Sequence, residues 1–230
     1  MALDLEGKHV VITGGSGGLG RAVVDMFAGA GAICHLPQRE RPDHASPPDI
    51  HIMGGIDLAN EAAVVSFYAE LPPLWASVHL AGGYQASPFV DTTLQSLRFQ
   101  MDINLTTAFL CCREAIRNMQ KRPTAKGGRI VNVSSRAALE AGGGAIAYAA
   151  SKAAVAAMTQ ALAVEVRVQR ILVNAVAPSI IDTPANRAAM PKANYDRWPK
   201  PQEIARTILW LASPENLVIS GAVVPVYGDS

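Results

Sequence analysis

Charge is scarce in this chain. Lys, Arg, Asp and Glu make up 17% of its 230 residues and the net charge is +1, so nothing in the composition calls for nucleic acid or an anionic membrane as a partner. Small basic groups such as Arg39-Glu40-Arg41 and Lys121-Arg122 read as solvated surface. Cysteine is scarcer still. Cys34, Cys111 and Cys112 are too few for a disulfide framework, and an adjacent pair is not a C-x-x-C redox motif. They read as buried, reduced thiols of a cytoplasmic protein. The five histidines, at 9, 35, 44, 51 and 79, have no cysteine partners at a zinc-site spacing and no H-E-x-x-H spacing, so no metal site is expected. No apolar run reaches the roughly eighteen residues of a membrane span. The first eight residues carry charges where a secretion signal needs an apolar core.

What the chain does have is apolar bulk, with hydrophobic residues at 50%. At this length that predicts one well-buried domain over 1–230, or an oligomer with apolar interfaces. Short β-branched runs at 8–13, 32–36, 50–53, 77–81, 128–134, 171–176 and 222–226 read as strands. Helical patterns fall between them at 19–29, 60–70, 94–120, 146–168 and 201–212. Prolines 37, 42, 47 and 48 exclude an ordinary helix between the second and third strands. Strands alternating with helices predict an α/β fold, a parallel sheet covered on both faces in three αβα layers.

Two constellations carry chemistry. The first is the loop Thr13-Gly14-Gly15-Ser16-Gly17-Gly18-Leu19-Gly20, between the first strand and the first helix. Glycines there let the backbone turn tightly and approach a pyrophosphate, and the helix N-terminus offers unpaired N–H groups. No Gly-Lys-Ser/Thr follows, so it is not a Walker loop. The second is Tyr148 and Lys152, four residues apart, with Ser135 thirteen residues before the tyrosine. A free phenol has a pKa of about 10, and work near pH 7 requires that to fall by roughly 3, or about 4 kcal/mol. An ammonium one helical turn away can supply much of this. Taken alone, a tyrosine and lysine on an Ala-rich helix read as surface.

Taken together with Asp57-Leu58, Ala81-Gly82, Asn104, Asn174 to Pro178, and Thr183, these motifs resemble the short-chain dehydrogenase/reductase family from Gly7 to about Gly228. The resemblance implies a doubly wound, Rossmann-type sheet and hydride exchange between nicotinamide and a carbonyl or alcohol of a small substrate. It implies a catalytic tetrad of Asn104, Ser135, Tyr148 and Lys152. Tyr148 would be the acid or base, and Lys152 would grip the nicotinamide ribose and lower the phenol pKa. Ser135, rather than Ser134, would orient the substrate oxygen, and Asn104 would hold a relay water. Cofactor contacts would come from Gly14, Ser16, Gly17, Gly18, Leu19, Gln38, Arg39, Asp57, Leu58, Ala81, Gly82, Tyr148, Lys152, Pro178, Ile181 and Thr183. Relatives pair the helices matching 94–120 and 146–168 across subunits, which implies a homotetramer or homodimer.

The departures from the family pattern also inform. His79-Leu80-Ala81-Gly82 stands where Asn-Asn-Ala-Gly is usual, and packing of Leu80 is expected to replace the missing asparagine. Pro178-Ser179 replaces Pro-Gly, so the backbone there must avoid a glycine-only conformation. The proline-rich 37–48 segment replaces the usual helix. At the end of the second strand Gln38 stands where an acidic residue would repel a 2′-phosphate, and Arg39 follows. An arginine fork can bind that phosphate, which tips the balance to NADP(H) over NAD(H). Tyr84, Ala137, Leu139, Arg187, Met190, Tyr195 and Trp198 are candidates to line the substrate pocket. The alternatives are a dihydropteridine-reductase-like enzyme, suggested by Ala81-Gly82-Gly83, and a dinucleotide sensor without catalysis.

Overall fold

Seven short apolar runs form the strands of one parallel sheet: β1 (His9–Thr13), β2 (Ile33–Pro37), β3 (Ile50–Met53), β4 (Ala76–His79), β5 (Gly128–Val133), β6 (Ile171–Pro178) and β7 (Val223–Val226). Their spatial order is β3-β2-β1-β4-β5-β6-β7, every neighbouring pair parallel. The order reverses between β1 and β4, and in open α/β sheets ligands bind in the crevice outside the carboxyl ends of the strands at such a reversal. The computed structural model describes residues 3–40, 46–121, 127–140 and 142–230, so Arg41, Pro42, His44 and Arg122 lie outside the described residues.

Alternation along β1 shows how both faces are filled. Val10 and Ile12 join Val23 and Phe27 of α1 (Gly18–Gly29) and Ile204, Ile208 and Leu211 of α7 (Pro201–Ala212) in one core. Val11 points the other way, to a core with Phe67 and Tyr68 of α2 (Glu61–Ala69) and Leu110 and Ala115 of α4 (Thr107–Gln120). Between Pro37 and Ile50 no described residue is helical. Asn60 caps α2 by accepting from the Ala63 N–H at 3.1 Å.

The helix predicted over 94–120 is three pieces: α3 (Leu94–Met101), a π turn (Asp102–Thr106) and α4. The wide turn holds Asn104, and π bulges gather at functional sites. α5 (Ile146–Glu165) ends earlier than its apolar pattern, because the chain tightens into a 3₁₀ turn at Arg167–Gln169. Sequence periodicity missed α6 (Pro184–Ala189), a six-residue helix started by Pro184 and capped by Thr183, which accepts from the Asn186 N–H at 3.2 Å. Ser179 is not among the positive-φ residues, as expected for a serine in a glycine's place, and its hydroxyl donates to Tyr227 O at 2.8 Å.

The expectation for Leu80 needs correcting. Leu80 does pack against the α1–α7 core, but the tie between β4 and β5 is polar and passes through His79. Hydrogen-bond direction can be followed from one end. Thr159 Oγ1 donates to Val155 O (2.8 Å), so it accepts from Asn132 Nδ2 (2.9 Å). Asn132 Oδ1 then accepts from His79 Nδ1 (2.7 Å), which leaves His79 Nε2 to accept from Ser77 Oγ (2.8 Å). Ser77 Oγ in turn accepts from Tyr68 OH at 2.9 Å. One directional chain thus joins α2, two central strands and α5. A second histidine group crosses the sheet edge, with His9, His35 and His51 stacked at ring separations of 5.2 Å. Among the described residues no group of three or more His, Cys, Asp and Glu is placed to hold a metal ion.

Burial holds His79 neutral, lowering its pKa to about 4, and burial with its histidine neighbours does the same for His35. A depressed histidine pKa means the unfolded chain binds the proton more readily. Stability is therefore full above about pH 6.5 and falls as pH drops toward 4, by up to about 3 kcal/mol for His79 alone. Urea midpoints measured between pH 7 and pH 4.5 are expected to fall, and His79→Asn is expected to flatten part of that slope. An unchanged slope in the variant contradicts the directional network.

Candidate active site

At the reversal point, the ends of β1 and β4 are fastened together: the Ala81 N–H donates to Thr13 Oγ1 at 3.1 Å. Gly14 sits there at φ +68°, and a Cβ on it would lie 2.9 Å from Ala81 N. Only glycine fits such a backbone and such an approach. A Cβ at Gly20 would collide with Gly14 O, and one at Gly18 would lie 2.8 Å from Thr183 Cγ2. The loop is thereby pressed against the segment after β6. Gly17 caps α1 with no side-chain hydrogen bond, so the first-turn N–H groups have no side-chain acceptor.

A cavity of about 550 Å³ opens above this loop. It is lined by Gly14, Ser16, Gln38, Arg39, Leu58, Ala81 and Gly82 of the predicted cofactor residues. Phe99, Ile103 and Thr107 also line it, and sequence reasoning did not find them because only the fold carries α3 and the π turn to this rim. Gly17, Gly18, Leu19, Asp57, Tyr148, Lys152, Pro178, Ile181 and Thr183 are not among its walls; Gly18 packs against Thr183, and Gly82, which is a wall, against Lys152. Gln38 and Arg39 are held by backbone bonds to the end of β3 and the turn after it: Gln38 N to Met53 O (2.8 Å), Ile56 N to Gln38 O (2.9 Å) and Gly55 N to Arg39 O (3.1 Å). The Arg39 guanidinium is exposed and paired with Asp57 at 3.2 Å.

The four residues of the expected tetrad come from three places: the π turn, the end of β5, and α5, which carries both Tyr148 and Lys152. Asn104 is buried in the π turn, with Oδ1 accepting from Gly83 N (3.0 Å) and Nδ2 donating to Gly83 O (3.0 Å) and Ser151 Oγ (3.1 Å). Both atoms of its amide are thereby engaged. Gly82 fits between Asn104 and Lys152: a Cβ there would lie 2.5 Å from Asn104 Oδ1 and 3.3 Å from Lys152 Nζ. Lys152 is 6% exposed, and its Nζ donates to Val133 O at 2.9 Å. Burial lowers its pKa to about 8.

Ser134 and Ser135 separate as the strand alternates. Ser134 Oγ donates to Lys152 O at 2.9 Å, which fixes the turn of α5 that carries the lysine. Ser135 is the serine whose side chain favours the ionised Tyr148 phenol, and its hydroxyl accepts from Ala137 N at 3.2 Å. Lys152 Nζ lies 6.0 Å from the Tyr148 ring centroid. In the free chain the phenol pKa is raised, not lowered: burial outweighs the help of the Ser135 side chain, and Tyr84 adds to the rise. The expected lowering by Lys152 is therefore not supplied by the chain by itself, because burial penalises phenolate and ammonium alike.

Tyr84 meets Tyr148 edge to face, with ring centroids 4.9 Å apart, while remaining 65% exposed. Leu139 is 43% exposed. The expectation that Arg187 could face a substrate is corrected. Its guanidinium forms a two-pronged pair with Asp182, at 2.5 and 2.8 Å, and lies over the Tyr195 ring. Lys200 Nζ adds a bond to Asp182 at 2.6 Å, and the two cations hold the Asp182 carboxyl well below the usual carboxylate range. Tyr195 OH donates to the Arg187 and Met190 carbonyls, each at 3.2 Å, and its ring packs on buried Trp198. Arg187, Tyr195 and Trp198 thus brace the segment after β6.

Residues 8–194 match the family model described as short chain dehydrogenase. The chain is 34% identical to cyclopentanol dehydrogenase of Comamonas sp. (strain NCIMB 9872), over 96% of each protein. It is 33% identical to the 3beta-hydroxysteroid dehydrogenase of Mediterraneibacter gnavus, covering 94% of this chain and 92% of that one. Among solved structures, ElxO with NADP bound superposes with a TM-score of 0.88 at 25% identity, covering 96% of this chain and 98% of that one.

The Gly18–Thr183 contact allows a specific test. Gly18→Ala is expected to weaken NADPH binding about tenfold or more, and Thr183→Ser, which removes the methyl group the new Cβ would meet, is expected to restore part of the loss. Purely additive effects in a fluorescence titration contradict the contact.

Proposed function

The chain belongs to the short chain dehydrogenase family, and we propose that it transfers a hydride between a nicotinamide dinucleotide and a small secondary alcohol or its ketone. The observation that carries this reading is the Tyr148 phenol beside Ser135, one helical turn from a buried lysine, next to the glycine loop's crevice. A binding module has no need for such a pair.

The residues present suit a dinucleotide, since glycines let the loop fold closely on itself, on Ala81 and on Thr183, and the first turn of α1 keeps its N–H groups without a side-chain cap. Gly14, Ser16, Gly17, Gly18 and Leu19 would receive the pyrophosphate at the start of α1. Gln38, Arg39, Asp57 and Leu58 would border the adenosine. Ala81 and Gly82, with Lys152 and Tyr148, would hold the nicotinamide ribose, and Pro178, Ile181 and Thr183 the nicotinamide end. When bound, the dinucleotide supplies or accepts the hydride. In the reducing direction, Ser135 donates a hydrogen bond to the substrate carbonyl and Tyr148 gives its proton to the same oxygen. In the oxidising direction Tyr148 takes that proton from the alcohol. Lys152 holds the phenolate by its charge, and Asn104 keeps Gly83 and Ser151 in register around it.

NADP(H) is the preferred dinucleotide in this proposal. Gln38 carries no charge to repel a 2′-phosphate, and Arg39 stands at the mouth of the crevice. Its pairing with Asp57 is exposed, and such pairs are worth about 0–1 kcal/mol, so a phosphate can displace the carboxylate. Tyr84 presents exposed aromatic surface against Tyr148, which suits an alicyclic substrate like those for which the two relatives are named. Phe109, Val164, Leu217 and Val218 are 50–85% exposed, and a second copy of the chain, in a homodimer or homotetramer, would cover them. A monomer by light scattering at micromolar concentration contradicts that assembly.

Turnover is read at 340 nm with cyclic and acyclic alcohols and ketones, quinones and quinonoid pterins. Cyclic secondary alcohols or their ketones are expected to react. Tyr148→Phe is expected to lower kcat by about 10²–10⁴-fold with little change in dinucleotide affinity. Arg39→Ala is expected to raise KM for NADPH about tenfold and leave NADH nearly unaffected. Dinucleotide binding without turnover, unaltered by Tyr148→Phe, contradicts the enzyme reading. Equal efficiency with both dinucleotides, unchanged in Arg39→Ala, contradicts the preference.

A further inference from the structure

The segment after β6 is tied down from several sides, and the ties converge on one carboxylate. The Asp182 side chain is only 6% exposed and accepts three charged hydrogen bonds. Two come from Arg187 of α6, at 2.5 and 2.8 Å, and the third from Lys200 Nζ, at 2.6 Å. The Asp182 N–H donates to Pro199 O at 3.0 Å, so backbone and side chain are held by adjoining residues. A carboxylate this far from water is stable only when paired and hydrogen-bonded in such a way.

Lys200 is unusual for its place. It caps the start of α7, where the helix dipole disfavours a positive charge. Its own N–H donates to Glu203 Oε2 at 2.7 Å, and the Asp182 carboxylate offsets its ammonium. From there α7 runs back into the core, where Ile204 and Ile208 join Val23 and Phe27 of α1.

On its other side Asp182 is followed directly by Thr183. Thr183 O accepts from Arg187 N at 2.9 Å and Thr183 Oγ1 from Asn186 N at 3.2 Å. Asn186 Nδ2 donates back to Ile181 O at 2.8 Å, which closes the turn. The Thr183 methyl group faces Gly18, the first residue of α1. A closed circuit results: from the start of α1 to Thr183, to Asp182, to Lys200, along α7 and back to the body of α1. Both partners of every bond in it belong to the chain, so the chain itself orders the segment, and a ligand that meets Thr183 spends no binding energy on ordering it.

We propose that Asp182 is a positioning residue for the dinucleotide: its paired carboxylate sets residues 181–187 against α7 and thereby presents Thr183 beside Gly18, at the nicotinamide end of the site. The proposal rests on the oxidoreductase reading above for the assignment of Thr183 to that end. Asp182 touches no reacting atom and acts through its neighbour.

The test compares a reduced dinucleotide, NADPH or NADH, with the matching fragment that lacks nicotinamide, 2′-phospho-ADP-ribose or ADP-ribose, by calorimetric titration of the full chain. Asp182→Asn is expected to raise Kd for the dinucleotide about tenfold and to leave Kd for the fragment within about twofold. In turnover, KM for the dinucleotide rises with it while kcat at saturation changes little. Arg187→Met is expected to give part of the same loss and to add little to Asp182→Asn, because both open the same joint. Backbone hydrogen exchange over 181–190 in the free protein is expected to quicken in Asp182→Asn. Equal weakening of dinucleotide and fragment, or fully additive losses from the two substitutions, overturns the positioning role. Unchanged exchange overturns the ordering of the segment by Asp182. Failure of the unaltered protein to bind any of the four ligands contradicts the oxidoreductase reading and the positioning role with it.

Discussion

The site depends on a lysine ammonium kept almost out of water. Lys152 is 6% exposed and has one acceptor from the chain, Val133 O at the end of β5. Burial brings its pKa down to about 8 and pushes the neighbouring phenol up. Each charge is costly alone in that environment, and each lowers the cost of the other when both are present. The surroundings are arranged to hold the two side chains at this spacing. Ser134 fixes the helical turn of Lys152, Ser135 stands beside the phenol, and Asn104 reaches through Gly83 and Ser151 to both.

Much of the frame was legible in the chain because the signals are local. β-branched runs ending in glycine became strands, and the Gly14–Gly20 loop took its place at the reversal point between β1 and β4. The proline-rich stretch after β2 contains no described helix. Ser135 was singled out by the family resemblance, which implies a serine thirteen residues before Tyr148, and strand alternation sends Ser134 to the lysine's own backbone. The helical pattern over 94–120 was also legible, but not its π turn, since a single extra residue in a turn leaves no mark on a period of 3.6.

What stayed hidden are features made by residues far apart in sequence. His79 looked like a missing asparagine, yet its ring links Ser77 to Asn132, and the chain of bonds continues to Thr159 on the helix that bears Tyr148 and Lys152. Arg187 looked free to meet a substrate, but Asp182, five residues earlier, takes both prongs of its guanidinium. The pairing of Arg39 with Asp57 joins the turn after β2 to the turn after β3, and no spacing rule connects the two. Gln100 is the clearest case. A polar residue at a buried helical position carries no message until its oxygen is seen turned to Asn104.

The central claim is that the Tyr148–Lys152 pair is completed by charge from outside the chain. The direct measurement is an ultraviolet difference titration of the Tyr148 phenol, taken as the signal lost in Tyr148→Phe, with and without oxidised dinucleotide. In the free protein the phenol is expected to ionise above its ordinary value of about 10, and with the dinucleotide bound it is expected to fall well below that value. A phenol that already ionises below the ordinary value in the free protein, or one that does not respond to the dinucleotide, contradicts the account.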